Sequence, residues 1–421
     1  MAAVMCINAG STSLKFAVYH LGSELTLCCS GQVQDLLAHP TFEARGADGQ
    51  ALHPAGWTDP APLDHAQALQ QVLGWLQRQF PTLEITAAAH RMVHGGARFD
   101  APVVLDEAVL DYLEGLCPLE PSHQPMNVGA ARALMQAHPQ WRQIACFDTA
   151  FHRHMPAVAQ QYAVAPALQA AGLRHWGFHG ISYEYLSQQL QQHWPQERRV
   201  VALHLGGGAS ACALLDGQSV DTSMGFGALS GLPMATRCGD VPVEGVLYLL
   251  HHQRFTLDAL SDLLFKQSGL LGVSGLSSDL RVLEAHCASH AASRQAIDAF
   301  VYAVCKYVGA YAAVLGGLDA LVFSAGIGEH SALVRAEVCQ RLGWLGIELD
   351  DAANQHNAPC ISAPSSRIAV RVIPTDEDGM MAVHARRLLM PDATPGQPRP
   401  AAASPPLAPP PSAAPQEAPH A

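Results

Sequence analysis

The sequence predicts an α/β protein of two lobes around a cleft. Three observations carry that expectation. Helical and strand-like patterns alternate along the body of the chain. A strand, a tight polar or glycine turn and a second strand occur together once in each half. The chain of 421 residues is 49% hydrophobic and 14% charged, which is enough for two domains with sizeable cores.

The first strand–turn–strand unit joins apolar runs at 4–7 and 16–19 through Asn8, Gly10, Ser11, Thr12, Ser13 and Lys15. Glycine allows close backbone approach, and turn N–H groups, hydroxyls and a lysine suit an anion such as phosphate. An ordinary polar hairpin has the same composition. Residues 64–80 put Leu69, Val72, Leu73, Leu76 and Phe80 on one helical face. A small-residue run at 86–89 leads into His90-Arg91-Met92-Val93-His94-Gly95-Gly96, so Arg91 sits near a strand end. Phe147-Asp148-Thr149-Ala150-Phe151-His152 and Gly177-Phe178-His179-Gly180 each set one ionisable side chain among aromatics or glycines. Singly, such residues are usually structural.

The second unit runs from a strand at 200–205 through Gly206-Gly207-Gly208 to a strand at 209–215. Arg237 lies in a glycine-punctuated stretch at 231–240. Two arginines suit a carboxylate, a phosphate or both, though arginines also brace loops. Residues 296–315 form an apolar helix, followed by a strand at 320–323 and the glycine-rich turn Ser324-Ala325-Gly326-Ile327-Gly328-Glu329, a shape that can cradle a nucleotide. A strand at 368–373 ends in Pro374-Thr375-Asp376-Glu377-Asp378. Carboxylates there could hold Mg²⁺ or be solvated. From 391 the chain is Pro, Ala, Gln and Ser, which predicts a disordered tail over 391–421.

A net charge of −12 argues against non-specific nucleic-acid binding. Eleven scattered cysteines without a CxxC fit a reducing cytoplasm rather than a disulfide framework. No signal peptide is predicted, and the apolar stretch 308–323 is short and carries Asp319, so no membrane span is expected. Arginines, Mg²⁺ candidates, imidazoles and glycine-rich turns together suit phosphoryl transfer, which needs positioning and charge neutralisation more than covalent help.

In this order, INAGSTSLKF from Ile7, HRMVHGG from His90, HQPMN from His123, FDTAFH from Phe147, GFHG from Gly177 and HLGGGAS from His204 resemble the acetokinase family. DTSMGF from Asp221, TRCGD from Thr236, SSDLR from Ser277, SAGIGE from Ser324 and PTDE from Pro374 complete the set, which covers about residues 4 to 390. The resemblance implies a duplicated, two-lobed actin-like or ribonuclease H-like ATPase fold. Residues 1–149 would form one lobe, with 378–390 returning to it, and 150–377 the nucleotide-binding and dimerisation lobe of a homodimer. It implies reversible transfer of the ATP γ-phosphoryl group to acetate, giving acetyl phosphate and ADP, with Mg²⁺ (or Mn²⁺) as the metal.

By the same resemblance, Asn8 and His179 would contact the transferring phosphoryl group, and Arg91 and Arg237 would hold carboxylate and phosphoryl oxygens. Asp148 and Glu377 would position the metal, with Asn8 beside it. Ser11, Ser13 and Lys15 belong to the phosphate-side hairpin, and His123 would be a phosphate-side or supporting residue. His204, Leu205, Gly206, Gly207 and Gly208 would face the phosphates. Asp279, Leu280, Arg281, Gly326, Ile327, Gly328 and His330 would frame the adenosine. Val93, Ser122, Phe178 and Ala228 would line the acyl pocket.

The chain departs from the family pattern at several of these points. Gly207 stands where Asn is usual, His330 where Asn is usual, and Val282 where an acid is usual. Ser122 replaces a Leu and Ala228 a Pro, both losses of apolar bulk. A methylene in an apolar pocket is worth about 1–3 kcal/mol, so propionate or another short-chain acid is an alternative substrate. Repacking by a neighbour would instead restore an acetate-sized pocket. A nucleotide-binding protein without turnover is the third reading, resting on Gly207 and Val282.

Overall fold

A computed structural model describes residues 2–54, 57 and 61–390; the tail expectation for 391–421 lies outside the described residues. Two mixed sheets organise the chain. The first holds β1 (Ala2–Ala9), β2 (Leu14–Leu21), β3 (Leu25–Gln34), β4 (Thr41–Gly46), β5 (Glu84–Met92), β6 (Val103–Val104) and β7 (Arg142–Phe147), in the order β4-β3-β2-β1-β5-β7-β6. The second holds β8 (Arg199–Leu205), β9 (Ala209–Leu215), β10 (Gln218–Thr222), β11 (Ala320–Ser324) and β12 (Ala369–Val372), in the order β10-β9-β8-β11-β12.

The sheets repeat one plan. In the first, β3, β2 and β1 pair antiparallel, and β5 and β7 then add parallel. In the second, β10, β9 and β8 pair antiparallel, and β11 and β12 add parallel. Each central strand is buried on both faces, as Val4, Met5 and Cys6 in β1 and Val201, Ala202 and Leu203 in β8 show, so these strands read as continuous apolar runs without alternation. The duplicated two-lobed α/β fold expected from the sequence is present.

Helices cover the faces. His65–Gln79 starts at a capping box in which Asp64 accepts from the Gln67 N–H and Gln67 reaches back, and it buries Leu69, Val72, Trp75 and Leu76 on the first sheet. The glycine turn at 324–329 is not a loop. The chain passes straight from β11 into the helix Ala325–His330, because Gly328 packs against Phe323 while Ala325 takes a left-handed φ of 61°. The last helix, Glu377–Leu389, leaves the second sheet at β12 and buries Met380, Met381, Ala382 and Ala385 against Val4, Cys6, Ala87 and Cys146 of the first.

Among the described residues one helix, Ala291–Val314, is long and apolar enough to cross a membrane. Here Ile297, Phe300, Val301, Val304 and Val308 bury its inner face in the core under the second sheet.

Several histidines are fixed inside the fold. Burial pushes His90 down to about 4, against a hydrogen bond to Gln143 that pulls the other way. Burial likewise takes His94 to about 4 and His152 to about 3. Each binds its proton more weakly folded than unfolded, where the pKa is about 6.5, so the unfolded chain takes up more protons below that pH. The contribution of each histidine is therefore whole above pH 6.5 and falls by about 1.4 kcal/mol per pH unit as the pH drops toward its folded value, while Asp378, raised to about 7 by burial and by Glu377, opposes one of them over the same range. Urea midpoints at pH 7.5, 6.5 and 5.5 should show a steep loss only in the last interval, and a midpoint level down to pH 5 would contradict this.

Candidate active site

The turns of the two repeated hairpins open onto one cavity of about 540 Å³ between the sheets. Asn8 and Lys15 face each other across the β1–β2 register, and both line it. The turn between them is tied by the Gly10 N–H donating to the Ser13 carbonyl at 2.8 Å. The second hairpin contributes Gly206, Gly207 and Gly208, closed by the Gly206 N–H donating to the Gly208 carbonyl at 3.0 Å.

Arg91 and Asp148 meet because β5 and β7 run parallel with Met92 opposite Phe147, so both strands end at the same height. The Arg91 Nε donates to both carboxylate oxygens of Asp148 at 3.1 Å, and Nη2 donates to Oδ2 at 2.7 Å. Asp148 is buried while the Arg91 side chain keeps 18% exposure, so the guanidinium is the partner that reaches the cavity. Burial pushes the Asp148 carboxyl up, Arg91 pulls it back, and the negative Glu377 adds to the upward push.

His179 caps the helix Gly180–His193 from a left-handed conformation, φ 58° and ψ 23°, which is costly for a residue with a side chain. The following Gly180 donates its N–H to the Asp148 carbonyl at 2.9 Å, and a Cβ there would come 2.1 Å from that oxygen. The His179 ring stacks on His204 with centroids 4.1 Å apart. Its Nδ1 lies 2.8 Å from the Ser210 Oγ, which is 2.6 Å from the Tyr183 hydroxyl. With Tyr183 donating to Ser210 and Ser210 to Nδ1, the neutral ring carries its proton on Nε2, toward Gly208. Burial, then the neighbouring His204 and arginines, lowers the His179 pKa far below its usual range, and burial with Arg91 takes His204 down to about 3. The His204 Nδ1 bonds the Ser182 Oγ at 2.8 Å, and Ser182 bonds Thr375 at 2.8 Å.

Arg237 approaches from the opposite wall. Its Nη1 donates to the Ala228 carbonyl at 2.9 Å, and Nη2 lies 3.4 Å from the His123 Nε2. Val93, Phe178, Met224 and Ala228 form an apolar corner, none more than 6% exposed. The Val93 N–H is held by the Asn127 Oδ1, whose amide also donates to the Ala9 carbonyl, so this wall is tied to the end of β1.

Glu377 lines the cavity at the start of the last helix with a buried Oε1 that has no protein partner. Among the described residues no three His, Cys, Asp or Glu side chains converge on a point. A divalent cation here would rest on Glu377, Asn8 and the ligand's own oxygens, a sparse protein set of the kind Mg²⁺ accepts.

Asn8, Lys15, Arg91, Val93, Asp148, Phe178, His179, His204, Gly206, Gly207, Gly208, Ala228, Arg237, Gly326 and Glu377 thus come together. Other expected residues lie outside this lining. Leu205 and Leu280 point into the core around Leu203 and Leu283. Asp279 caps the helix Leu280–His286 and pairs with Arg281 at 2.6 Å. Ile327 packs on the core, Gly328 is covered by Phe323, and His330 is exposed. Ser11, Ser13 and Ser122 are likewise not among the lining residues. Glu329, expected in the nucleotide turn, also lines the cavity, whereas sequence reasoning omitted Met224, Thr375 and the buried Glu120. Met224 and Thr375 sit inside stretches that already stood out, whereas Glu120 gave no signal.

Comparisons with known proteins agree over this whole body. The family model described as "Acetokinase family" matches residues 3–383. An acetate kinase of Rhodopseudomonas palustris is 45% identical over 393 residues, covering 91% of this chain and 98% of its own length. One of Methylocella silvestris is 44% identical over 397 residues, covering 92% and 98%. Among solved structures, a propionate kinase of Francisella tularensis superposes with a TM-score of 0.84 at 30% identity, over 91% of this chain and 99% of that one. An acetate kinase of Porphyromonas gingivalis gives 0.81 at 32%, over 92% and 100%. With this match in sequence, fold and extent, the chain belongs to the acetokinase family.

Proposed function

We propose that the protein transfers the γ-phosphoryl group of ATP to a short-chain carboxylate, acetate first, forming an acyl phosphate and ADP reversibly. The observation that carries this reading is the pairing of two guanidiniums, Arg91 and Arg237, with a four-residue apolar corner in one cavity. A carboxylate head has cationic partners there and a short alkyl tail has a dry wall.

In the reaction a carboxylate oxygen forms a bond to the γ-phosphorus as the bond from that phosphorus to the ADP oxygen breaks. No proton need move. The main obstacle is repulsion between two anions. Arg91 and Arg237 offset it, Lys15 adds charge at the phosphate side, and the His179 Nε2–H donates to the transferring group without bringing a cation of its own. Asp148 keeps the Arg91 fork oriented. Gly206 to Gly208 let the phosphates approach the backbone, and Gly326 lies beside them on the nucleotide side. Mg²⁺, held by Glu377 and Asn8 with Asp148 behind them, would supply charge neutralisation on the phosphate oxygens.

The lobes 1–149 with 378–390, and 150–377, would close on the substrates and exclude water. A homodimer through the second lobe is supported by the helix Val243–His252, which buries none of its residues and exposes Val243, Leu247 and Tyr248. Cysteine usage supports a cytoplasmic location. Propionate is the second reading, favoured by Ala228 in the apolar corner and by the superposition on a propionate kinase.

Hydroxylamine trapping of the acyl phosphate, with acetate, propionate, butyrate and lactate as acceptors, tests both. Arg91→Ala should lower kcat/KM by about 10²–10³-fold for every acid, the scale of a lost transition-state donor. Acetate ranking first would mean that a neighbour compensates for the lost bulk at Ala228, and propionate ranking first would make Ala228 the determinant. A wild-type enzyme that binds ATP but yields no acyl phosphate would remove the proposal. On the nucleotide side, a Cβ at Gly207 would meet nothing within 4 Å. Gly207→Asn should therefore fit and add an amide donor near the phosphates, lowering the KM for ATP about tenfold with little change for acetate. An unchanged KM for ATP would show that position 207 does not reach the nucleotide.

A further inference from the structure

Glu120 is 2% exposed, and nothing in the reaction described so far uses it. A buried carboxylate is costly unless its oxygens are satisfied. Its Oε2 accepts the Ala228 N–H at 3.2 Å, and its Oε1 lies 3.1 Å from the His123 Nδ1. The Ala228 carbonyl in turn accepts from the Arg237 Nη1, and the His123 Nε2 faces the Arg237 Nη2. Glu120, His123, Arg237 and Ala228 thus close a ring whose members come from both halves of the chain, 108 to 114 residues apart.

For a neutral His123 ring, one tautomer satisfies these contacts. An ionised Glu120 can only accept, so His123 carries its proton on Nδ1 and offers the Nε2 lone pair to the Arg237 donor. Burial raises the Glu120 pKa, but His123, the Ala228 N–H and Arg237 outweigh it and hold the carboxyl below its usual range. This bond needs a backbone N–H at position 228, which a proline there would not have to give.

We propose that Glu120 is a positioning residue for the carboxylate substrate. It sets the His123 tautomer and fastens Arg237 and the Ala228 wall where the acid binds. This rests on the phosphotransferase reading above for its kinetic part only.

Glu120→Gln keeps the size but replaces one acceptor with an NH₂ facing a donor. If the amide oxygen takes the Ala228 N–H, His123 must shift its proton to Nε2, against Arg237. The KM for acetate should rise at least tenfold while the KM for ATP stays within twofold, and ¹⁵N NMR of His123 should change from the Nδ1–H to the Nε2–H tautomer. In an Ala228→Pro background the conflicting N–H is gone, the amide oxygen can serve His123, and the same Glu120→Gln change should cost less than threefold. Equal shifts in both KM values, an unmoved tautomer, or an undiminished cost in the proline background would each overturn the proposal. The double variant also serves if Glu120→Gln alone folds poorly, since it removes the clash. A wild type that forms no acyl phosphate would strike the phosphotransferase reading, while the tautomer, measured without substrate, would still decide whether Glu120 governs His123.

Discussion

A guanidinium aimed into a cavity is useful only if it stays put. Arg91 owes its aim to Asp148, and the bidentate pair uses Nε and Nη2 while leaving Nη1 for a ligand. Removing one partner of such a buried pair would leave the other charge uncompensated, which is far more damaging than losing a surface pair. The rest of the site is arranged around it. β5 and β7 deliver the two residues at equal height, the Gly180 N–H anchors the Asp148 backbone, and Glu377 sits close enough to raise the Asp148 carboxyl further. Among the lining residues Arg91, Arg237 and Lys15 are matched by Asp148, Glu329 and Glu377, so a polyanionic ligand gains most when it brings a cation with it.

The repeated sheet plan explains why one cavity collects residues from so many segments. Each repeat places a hairpin turn at the same end of its central strand, and the two turns face the shared space with Asn8 and Lys15 on one side and Gly206 to Gly208 on the other. The last helix crosses back to the first sheet, and its first turn brings Glu377 to the junction. The stacked, neutral pair His179 and His204 bridges the turns. A neutral pair can stack at 4.1 Å, whereas two imidazolium rings at that distance would repel.

Much of this was legible in the chain. The central strands and the helix His65–Gln79 follow from apolar runs and one amphipathic stripe, which are local signals. Arg91, Asp148, His179 and Arg237 stood out because each sits beside glycines or aromatics at an element's end. Other features depend on contacts between distant residues. Glu120 reads as one more acidic residue in a loop until Ala228, 108 positions away, is placed against it. Ser122, expected in the acyl pocket, is absent from the lining, while Met224 supplies apolar surface there. The turn at 324–329 is helical, with Gly328 packed on Phe323 and Gly326 left open to the cavity.

Gly180 has a consequence for how such a site can be altered. With the Asp148 carbonyl where any Cβ would have to go, this point of the framework admits no side chain without moving the carboxylate that orients Arg91. The opposite corner is built from side chains, Val93, Met224 and Ala228, whose bulk can change without touching that bond. Drift in acceptor preference therefore has one open direction, through the apolar wall. Lineages or engineers altering the acid would find position 180 closed to gradual change.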